Sequence, residues 1–471
     1  MLCRSIHAFA NHPACVIIRT CLVRQSGASA WRAGENIPEH LSGRVQETTE
    51  MRKAVVIGGG ASGMLAAVYA ARGGASVEIY EQNEKLGKKL YITGKGRCNL
   101  TNACEVEELF PAVVSNSKFL YSAFYGYTNS DVMDFFEEIG VPLKVERGNR
   151  VFPVSDHSSD VIRGLERELK RLGVRVFLNT RVRSLLIWDQ EACGLVLEDG
   201  REVEADRVVV ATGGLSYPST GATGDGYRFA REAGHLVTET APSLVPLFTR
   251  EEYTHRLQGL SLKNAALSIW DGKKRLYEDF GEMLFTHFGI TGPMVLSASA
   301  YVGKRLEKKP LQALVDLKPA RTKEQWDQRL LREFEQAPNK QLKNVVAGLY
   351  PSSLVPVLLD VANVSGEKKI HDISREERER LVNCTKAFPM TVTGLGSYKE
   401  AVITRGGVSV KEIVPGTMES KKIRHLYFIG EVLDLDVVTG GFNLQIAWST
   451  AYLAAQALIE KENENEYEYC H

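Results

Sequence analysis

The chain has 471 residues, 44% of them hydrophobic and 25% charged. That is globular usage, which excludes a disordered or fibrous polypeptide and leaves room for about three domains or lobes. Lysine plus arginine (58) balances aspartate plus glutamate (58), so no overall attraction to nucleic acid or anionic lipid follows. No apolar run approaches the roughly 18 residues of a membrane-spanning helix. Eight scattered cysteines without a CxxC pair point to free thiols in a reducing, cytoplasmic setting, with no disulfide framework and no metal site.

Residues 1–50 carry no sustained periodicity and end in the polar run Gln46–Glu50. Up to Gly34 they hold four arginines and no acid. They are expected to be a disordered or foreign leader outside the fold, with a transit peptide as the alternative and Met51 as the functional start.

The next thirty residues carry the most information. Lys53–Ile57 is a short β-branched run, expected as a buried parallel strand. Gly58-Gly59-Gly60-Ala61-Ser62-Gly63 follows, then an Ala-rich helix from Met64 to Arg72, then a second strand from Ser76 to Tyr80 ending at Glu81. Gly58 allows the tight turn, Gly60 a close approach to a pyrophosphate, and Gly63 the packing of helix on sheet. The helix N-terminus offers unpaired N–H groups to phosphate, and Glu81 can accept from a ribose diol. Strand, glycines, helix, strand and acid in this order make a dinucleotide site. NAD and FAD remain open at this point.

Further along, Val174–Leu178 and Thr180-Arg181-Val182 are read as a strand and its exit. Leu195–Leu197 before Asp199-Gly200 is read as a hairpin. Arg207–Val210 is another buried strand, ending in Ala211-Thr212-Gly213-Gly214. Asp225 is expected to cap a helix from Tyr227 to Gly234. From Pro242 to Met390 the pattern changes. Strands are expected at Ala265–Trp270 and Leu311–Leu317, and helices at Lys323–Glu335, Asn339–Leu349 and Ser374–Asn383. This insert should shape a substrate cleft, and its Lys/Arg pairs are read as solvated loop charge. Near the C-terminus, a strand ends at Gly430-Glu431. The loop Thr439-Gly440-Gly441-Phe442-Asn443 then feeds a helix from Leu444 to Ile459, with Asn443 as its expected N-cap. Both ends of the chain complete one site, so the domain is discontinuous: 51–241 and 391–460, interrupted by the insert at 242–390 and followed by a polar tail at 461–471.

These residues resemble a bacterial family of FAD-dependent oxidoreductases that includes aminoacetone-oxidase-like and bile-acid dehydro-steroid-reductase-like proteins. The matching segments are Val55–Gly63, Gly94-Lys95-Gly96-Arg97-Cys98-Asn99-Leu100-Thr101-Asn102, Arg150–Asp156, Gly221–Gly226, Gly281–His287, and Gly430–Asp434 through Gly440–Gln445. The resemblance implies an α/β fold, a Rossmann-like FAD-binding domain of the two-dinucleotide type interrupted by a mixed β-rich and helical insert. It implies non-covalent FAD held by Gly58, Gly60, Ala61, Ser62, Gly63, Glu81, Val182, Gly430, Glu431, Gly441, Asn443 and Leu444, beside the strand exit Ala211-Thr212-Gly213. Lys88 or Lys89 matches a pyrophosphate-contacting cation, and Arg97 and Asn99 are expected near the cofactor.

For proton chemistry the candidates are Cys98, Tyr217 and His287. Each also has a plain structural reading as a loop cysteine, a loop tyrosine and a packed or surface histidine. The expected activity is hydride transfer between a small organic substrate and flavin, with NAD(P)H as a transient co-substrate, because no second glycine fingerprint occurs. Alternatives are an amine or aminoketone oxidase using dioxygen, an RNA-modifying protein, and a non-catalytic flavin sensor. Nucleic acid is the less favoured partner, and the sequence leaves the oligomeric state open.

Overall fold

The computed structural model describes residues 52–460. The leader expected at 1–50 and the tail expected at 461–471 lie outside them. Lys53–Ile57 forms strand β1, Ala61–Arg72 helix α1, and Ser76–Tyr80 strand β2. Arg175–Phe177 (β3), Arg207–Val210 (β4) and Leu426–Phe428 (β5) join them in a five-stranded sheet of order β5-β4-β1-β2-β3. Every pairing is parallel, with Val55 opposite Val208 and Val208 opposite Leu426. Covering both faces of such a sheet selects continuous β-branched runs. Val55, Val56, Val208 and Val209 are accordingly fully buried. The Asp199-Gly200 turn sits in a three-stranded antiparallel meander, Val182–Trp188, Glu191–Leu197 and Glu202–Glu204, just before β4.

Residues 247–395 form a second body with its own hydrophobic core. Six strands close a barrel in the order Leu247–Thr249, Gly289–Thr291, Lys274–Phe285, Ser261–Asp271, Leu311–Asp316, Phe388–Leu395. Helix α2, Pro293–Leu306, packs against it. Further helices are Lys323–Glu335, Leu354–Ala362 and Arg375–Lys386. The first and last of these start in capping boxes, Thr322 with Gln325 and Ser374 with Glu377, which satisfy orphan N–H groups at the helix start. The helix expected at Asn339–Leu349 is confined to Leu342–Val346, because Gln341 bridges to Lys369 instead.

Two short strands connect the bodies, Ala241–Ser243 and Ile403–Arg405, paired antiparallel. The last helix, α3, runs from Phe442 to Ile459 and packs along α1. One core therefore draws on residues from Ala54 to Leu458 and excludes the barrel.

Candidate functional site

A long cleft opens at the C-terminal ends of β1, β4 and β5. It encloses about 1410 Å³ of space free of protein atoms, its open mouth included. Gly58, Gly60, Ala61 and Ser62 line it. Gly58 has φ +103°, and a Cβ there would lie 2.6 Å from the Ala211 carbonyl oxygen. A Cβ on Gly60 would meet nothing within 4 Å, so the backbone there faces open space. Gly63 lies underneath, where a Cβ would fall 2.0 Å from the Gly58 oxygen. It sets the closeness of helix to sheet and does not line the cleft. No side chain caps α1, so its first N–H groups and their partial positive charge are available to an anion.

Glu81 is buried at the end of β2. Its Oε2 accepts from the Gly59 N–H at 2.7 Å; its Oε1 accepts from the Asn83 N–H at 2.8 Å and Nδ2 at 2.6 Å. Lys88 and Lys89 also line the cleft. Lys88 Nζ is shared between Glu84 (3.2 Å) and Asn83 (3.3 Å). Lys89 donates to Ser216 Oγ at 2.6 Å and pairs with the Glu431 carboxylate. Glu431 Oε1 accepts from Ser216 Oγ (2.7 Å) and the Thr404 N–H (2.9 Å). This network ties the exits of β4 and β5 to the connector strand. Val182 lines the cleft with Thr180 and Arg181. Ala211, Thr212 and Gly213 line it at the exit of β4, Gly430 and Glu431 at the exit of β5, and Asn443 and Leu444 at α3.

Two expectations need correcting. Asn443 is not the N-cap of α3; Gly441 is, with φ +102° and no capping side chain. A Cβ on Gly441 would fall 2.3 Å from the Thr101 oxygen, so backbone proximity selects glycine over a capping side chain, and Gly441 is not among the lining residues. Asp225 is likewise inside its helix, Asp225–Glu232, behind the N-cap Gly224. Burial opposes its ionisation, but hydrogen bonds from Thr223, Arg228 and Arg181 hold its carboxyl below the usual range. Arg97 and Asn99 lie outside the lining. Arg97 Nε pairs with Asp156 Oδ1 at 2.8 Å, Arg97 also binds Glu146, and its guanidinium covers the Phe152 ring at 4.2 Å. Asn99 Oδ1 is buried with no hydrogen-bond partner among the described residues.

The segment after Asn99 acts as a strut beneath α3. The Leu100 oxygen accepts from Trp448 Nε1 at 3.0 Å, and Thr101 Oγ1 donates to Gln445 Oε1 at 2.5 Å. Asn102 Nδ2 donates to the Gly440 and Gly148 carbonyls, each at 3.0 Å.

Of the proton-transfer candidates none lines the cleft. Cys98 is fully buried and burial pushes its thiol up to about 12, so it is neutral and inert at physiological pH. Tyr217 is half-buried at φ +52° and burial raises its hydroxyl. His287 is exposed on the barrel against Phe288. Among the described residues no His, Cys, Asp and Glu group could hold a metal ion.

Sequence reasoning missed Gln82 and Asn83, which line the cleft together with Thr220 and Gly221. Gln82 Nε2 donates to the Gly221 oxygen at 2.5 Å, and Asn83 Nδ2 to the Thr220 oxygen at 3.2 Å. The only signal was their place directly after Glu81. Val402, Ile403 and Leu435, also in the lining, carry no chemical signature at all.

A parallel sheet with a glycine cradle at its first crossover, completed by a returning strand and an uncapped helix, defines a Rossmann-type nucleotide-binding protein. The chain belongs to the family described as HI0933-like protein Rossmann domain, whose model matches residues 52–457. It is 34% identical over 415 residues to a 3-dehydro-bile acid delta(4,6)-reductase of Clostridium scindens, covering 87% of this chain and 100% of that protein. It is 33% identical to a ribosomal RNA dihydrouridine synthase of Haemophilus influenzae (86% and 98% covered) and 30% identical to one of Escherichia coli (86% and 98%).

Proposed function

We propose that this chain is a FAD-dependent reductase that adds hydrogen across a carbon–carbon double bond conjugated to a carbonyl, with NAD(P)H as the donor. The observation that carries this reading is the meeting, in one cleft, of the open cradle at α1 and the uncapped N-terminus of α3, contributed by opposite ends of the sequence. The residues fit a dinucleotide. Gly60, Ala61, Ser62 and a lysine, Lys88 or Lys89, would hold a diphosphate; Glu81 would take a ribose diol and Val182 the adenine. Gly430, Glu431, Asn443 and Leu444 would hold the redox-active half. Flavin, when bound, supplies reversible hydride transfer. The protein's part is positional and electrostatic. The positive end of α3 favours negative charge beside it by about 0.3–1 kcal/mol, rising to about 2 when partly buried. Glu431 holds Lys89 in place while leaving it hydrogen-bonded to Ser216.

The relatives support the substrate class. One is named for reducing a delta(4,6) bile acid and two for making dihydrouridine, and both names describe saturating a double bond in a ring. The test is anaerobic mixing of purified protein with NADH or NADPH, followed by a 3-oxo-4,6-diene steroid. Flavin absorbance near about 450 nm should bleach with the donor and return with the steroid. Colourless protein that cannot be reconstituted, or flavin that neither donor reduces, sinks the reading.

The names of two relatives favour a second substrate, uridine in ribosomal RNA. Dihydrouridine formed in a ribosomal RNA fragment by the reduced protein would select it. No helix among the described residues is long and apolar enough to cross a membrane. Cys98, Cys104, Cys193 and Cys384 as free thiols support placing the reaction in the cytoplasm.

A further inference from the structure

In the parallel sheet β1 lies between β4 and β2, so the glycine cradle at its exit is flanked by what leaves those two strands. From β4 the chain continues through Ala211–Gly214 into residues 215–224. From β2 it continues through Glu81 into Gln82 and Asn83. The two flanks meet. Gln82 Nε2 donates to the Gly221 oxygen at 2.5 Å, and Asn83 Nδ2 to the Thr220 oxygen at 3.2 Å. The Thr180 N–H bonds the Glu81 oxygen at 2.9 Å, which sets Arg181 on the β2 side as well. From there Arg181 Nη2 reaches Asp225 Oδ2 at 3.1 Å and Oδ1 at 3.2 Å. Gln82, Asn83, Arg181, Thr220, Gly221 and Asp225 all line the cleft. A segment that leaves one flank of β1 and is bonded to the other crosses the exit of β1, and with it the cradle.

The segment is anchored at its root and light beyond it. The Leu215 and Ser216 N–H groups donate to Thr404 Oγ1 at 2.7 and 3.1 Å, and the Tyr217 N–H to the Tyr398 oxygen at 3.0 Å. Past Tyr217, at φ +52°, Pro218–Thr220 forms a single 3-10 turn. The Thr220 and Gly221 N–H groups close that turn on the Tyr217 and Pro218 oxygens. Among the described residues, no backbone–backbone bond ties 218–223 to the rest of the protein. Pro218 and Ser219 face solvent, while Thr220, Gly221 and Ala222 face the cleft. What holds this stretch across the cradle is therefore a set of side chains from the far wall. Segments held so lightly belong to the low-stability end of a fold, from which lids are drawn.

We propose that residues 218–223 are a strap that opens to admit the dinucleotide and closes over its diphosphate and adenosine part, with Gln82 and Arg181 as the clasp. This rests on the FAD reading and adds that the cofactor is resident, retained through many turnovers, so that NAD(P)H does not exchange into the cradle.

The test measures two rates by stopped-flow fluorescence: FAD release from the holoprotein and FAD uptake by the same protein after the flavin is stripped. It compares the wild type with Q82A, R181Q and Q82A/R181Q. Gln82 makes no other hydrogen bond among the described residues, so Q82A isolates the clasp. Asn83 is left intact because it also holds Glu81 and Lys88. Loosening a strap opens the path in both directions. Release and uptake should both quicken, about fivefold for the one hydrogen bond lost in Q82A, with a smaller further gain from the exposed Arg181 pair. Faster release with unchanged uptake would make Gln82 and Arg181 ordinary contacts of the bound cofactor and overturn the strap, as would rates unchanged in all three variants. In both of those cases the wild type still takes up FAD and the FAD reading stands. A wild type that takes up no FAD overturns that reading and the strap together.

Discussion

Gly60 and Gly63, three residues apart, do opposite jobs, and substitution separates them. A methyl at Gly60 projects into open cleft, so Gly60→Ala should leave the melting temperature of the flavin-free protein unchanged and weaken flavin binding, measured by fluorescence titration. A methyl at Gly63 meets backbone, and Gly63→Ala should cost about 1–3 kcal/mol in denaturant unfolding. Asp436 is a second separable case. Its Oδ1 accepts from Ser243 Oγ at 2.9 Å, while its Oδ2 is buried without a partner among the described residues. Burial pushes its pKa up to about 6, against the Ser243 hydrogen bond and the attraction of Arg405, with Asp434 adding repulsion. Tyr301 on α2 is the other titratable group that interacts with it. A raised carboxylate pKa is a penalty that is absent below the unfolded value of about 3.9, grows as pH rises toward 6, and is constant above. Asp436→Asn should therefore unfold like the wild type at pH 4 and be more stable at pH 7.5, on the order of 3 kcal/mol. Equal urea midpoints at pH 7.5 would contradict it. At this scale, residues with a required chemistry, such as Glu81 and the glycines, were legible in the sequence. Gln82, Asn83 and Leu435 were not, because their role comes from where neighbouring loops put them.

Helix α3 depends on contacts made far away in sequence. Gln445 accepts from Thr101 Oγ1 and donates from Nε2 to the Tyr127 oxygen (3.2 Å) and Ser449 Oγ (2.9 Å), all buried. Gln445→Leu strands several of these groups and should cost about 1–3 kcal/mol, read as a lower denaturation midpoint. It should also loosen flavin binding, since Asn443 and Leu444 share the first turn. Element-level reading succeeded where periodicity was clean, as at Lys323–Glu335. It missed Leu354–Ala362 because Pro356 looks like a breaker. In a first turn proline removes an N–H that has no partner anyway. The cap of α3 was misplaced for the reverse reason: Asn443 has the right side chain, but Thr101 leaves no room for a Cβ at Gly441.

Two hydrophobic cores joined through a two-strand connector lead to the expectation that the sheet-bearing body and the barrel unfold separately. Trp188 and Trp448 belong to the sheet-bearing body, Trp270 and Trp326 to the barrel. Urea unfolding should show two transitions when single-tryptophan variants are followed separately, with added FAD raising only the one reported by Trp188 and Trp448. Coincident transitions that shift together would mean a single cooperative unit. The barrel's closure was not legible in the sequence. Leu247–Thr249 is three residues long and finds Phe388–Leu395 only after the rest of the barrel has intervened; a register like that is written in packing, not in local pattern.

That same topology has a consequence for how the polypeptide is made. A ribosome delivers β1, β2, β3 and β4 first, then the entire barrel, and only then β5 and α3. Throughout elongation of the middle section the nascent sheet presents the flank of β4 bare, with the hydrophobic bed of α3 exposed. The barrel's six strands are all available before that flank is closed, so it can mature while its sister body waits. Translation pausing or chaperone capture should therefore act on the segment from β1 to β4, residues 53–210, and ribosome-bound intermediates stalled before Leu426 should carry a protease-resistant barrel beside a protease-sensitive remainder.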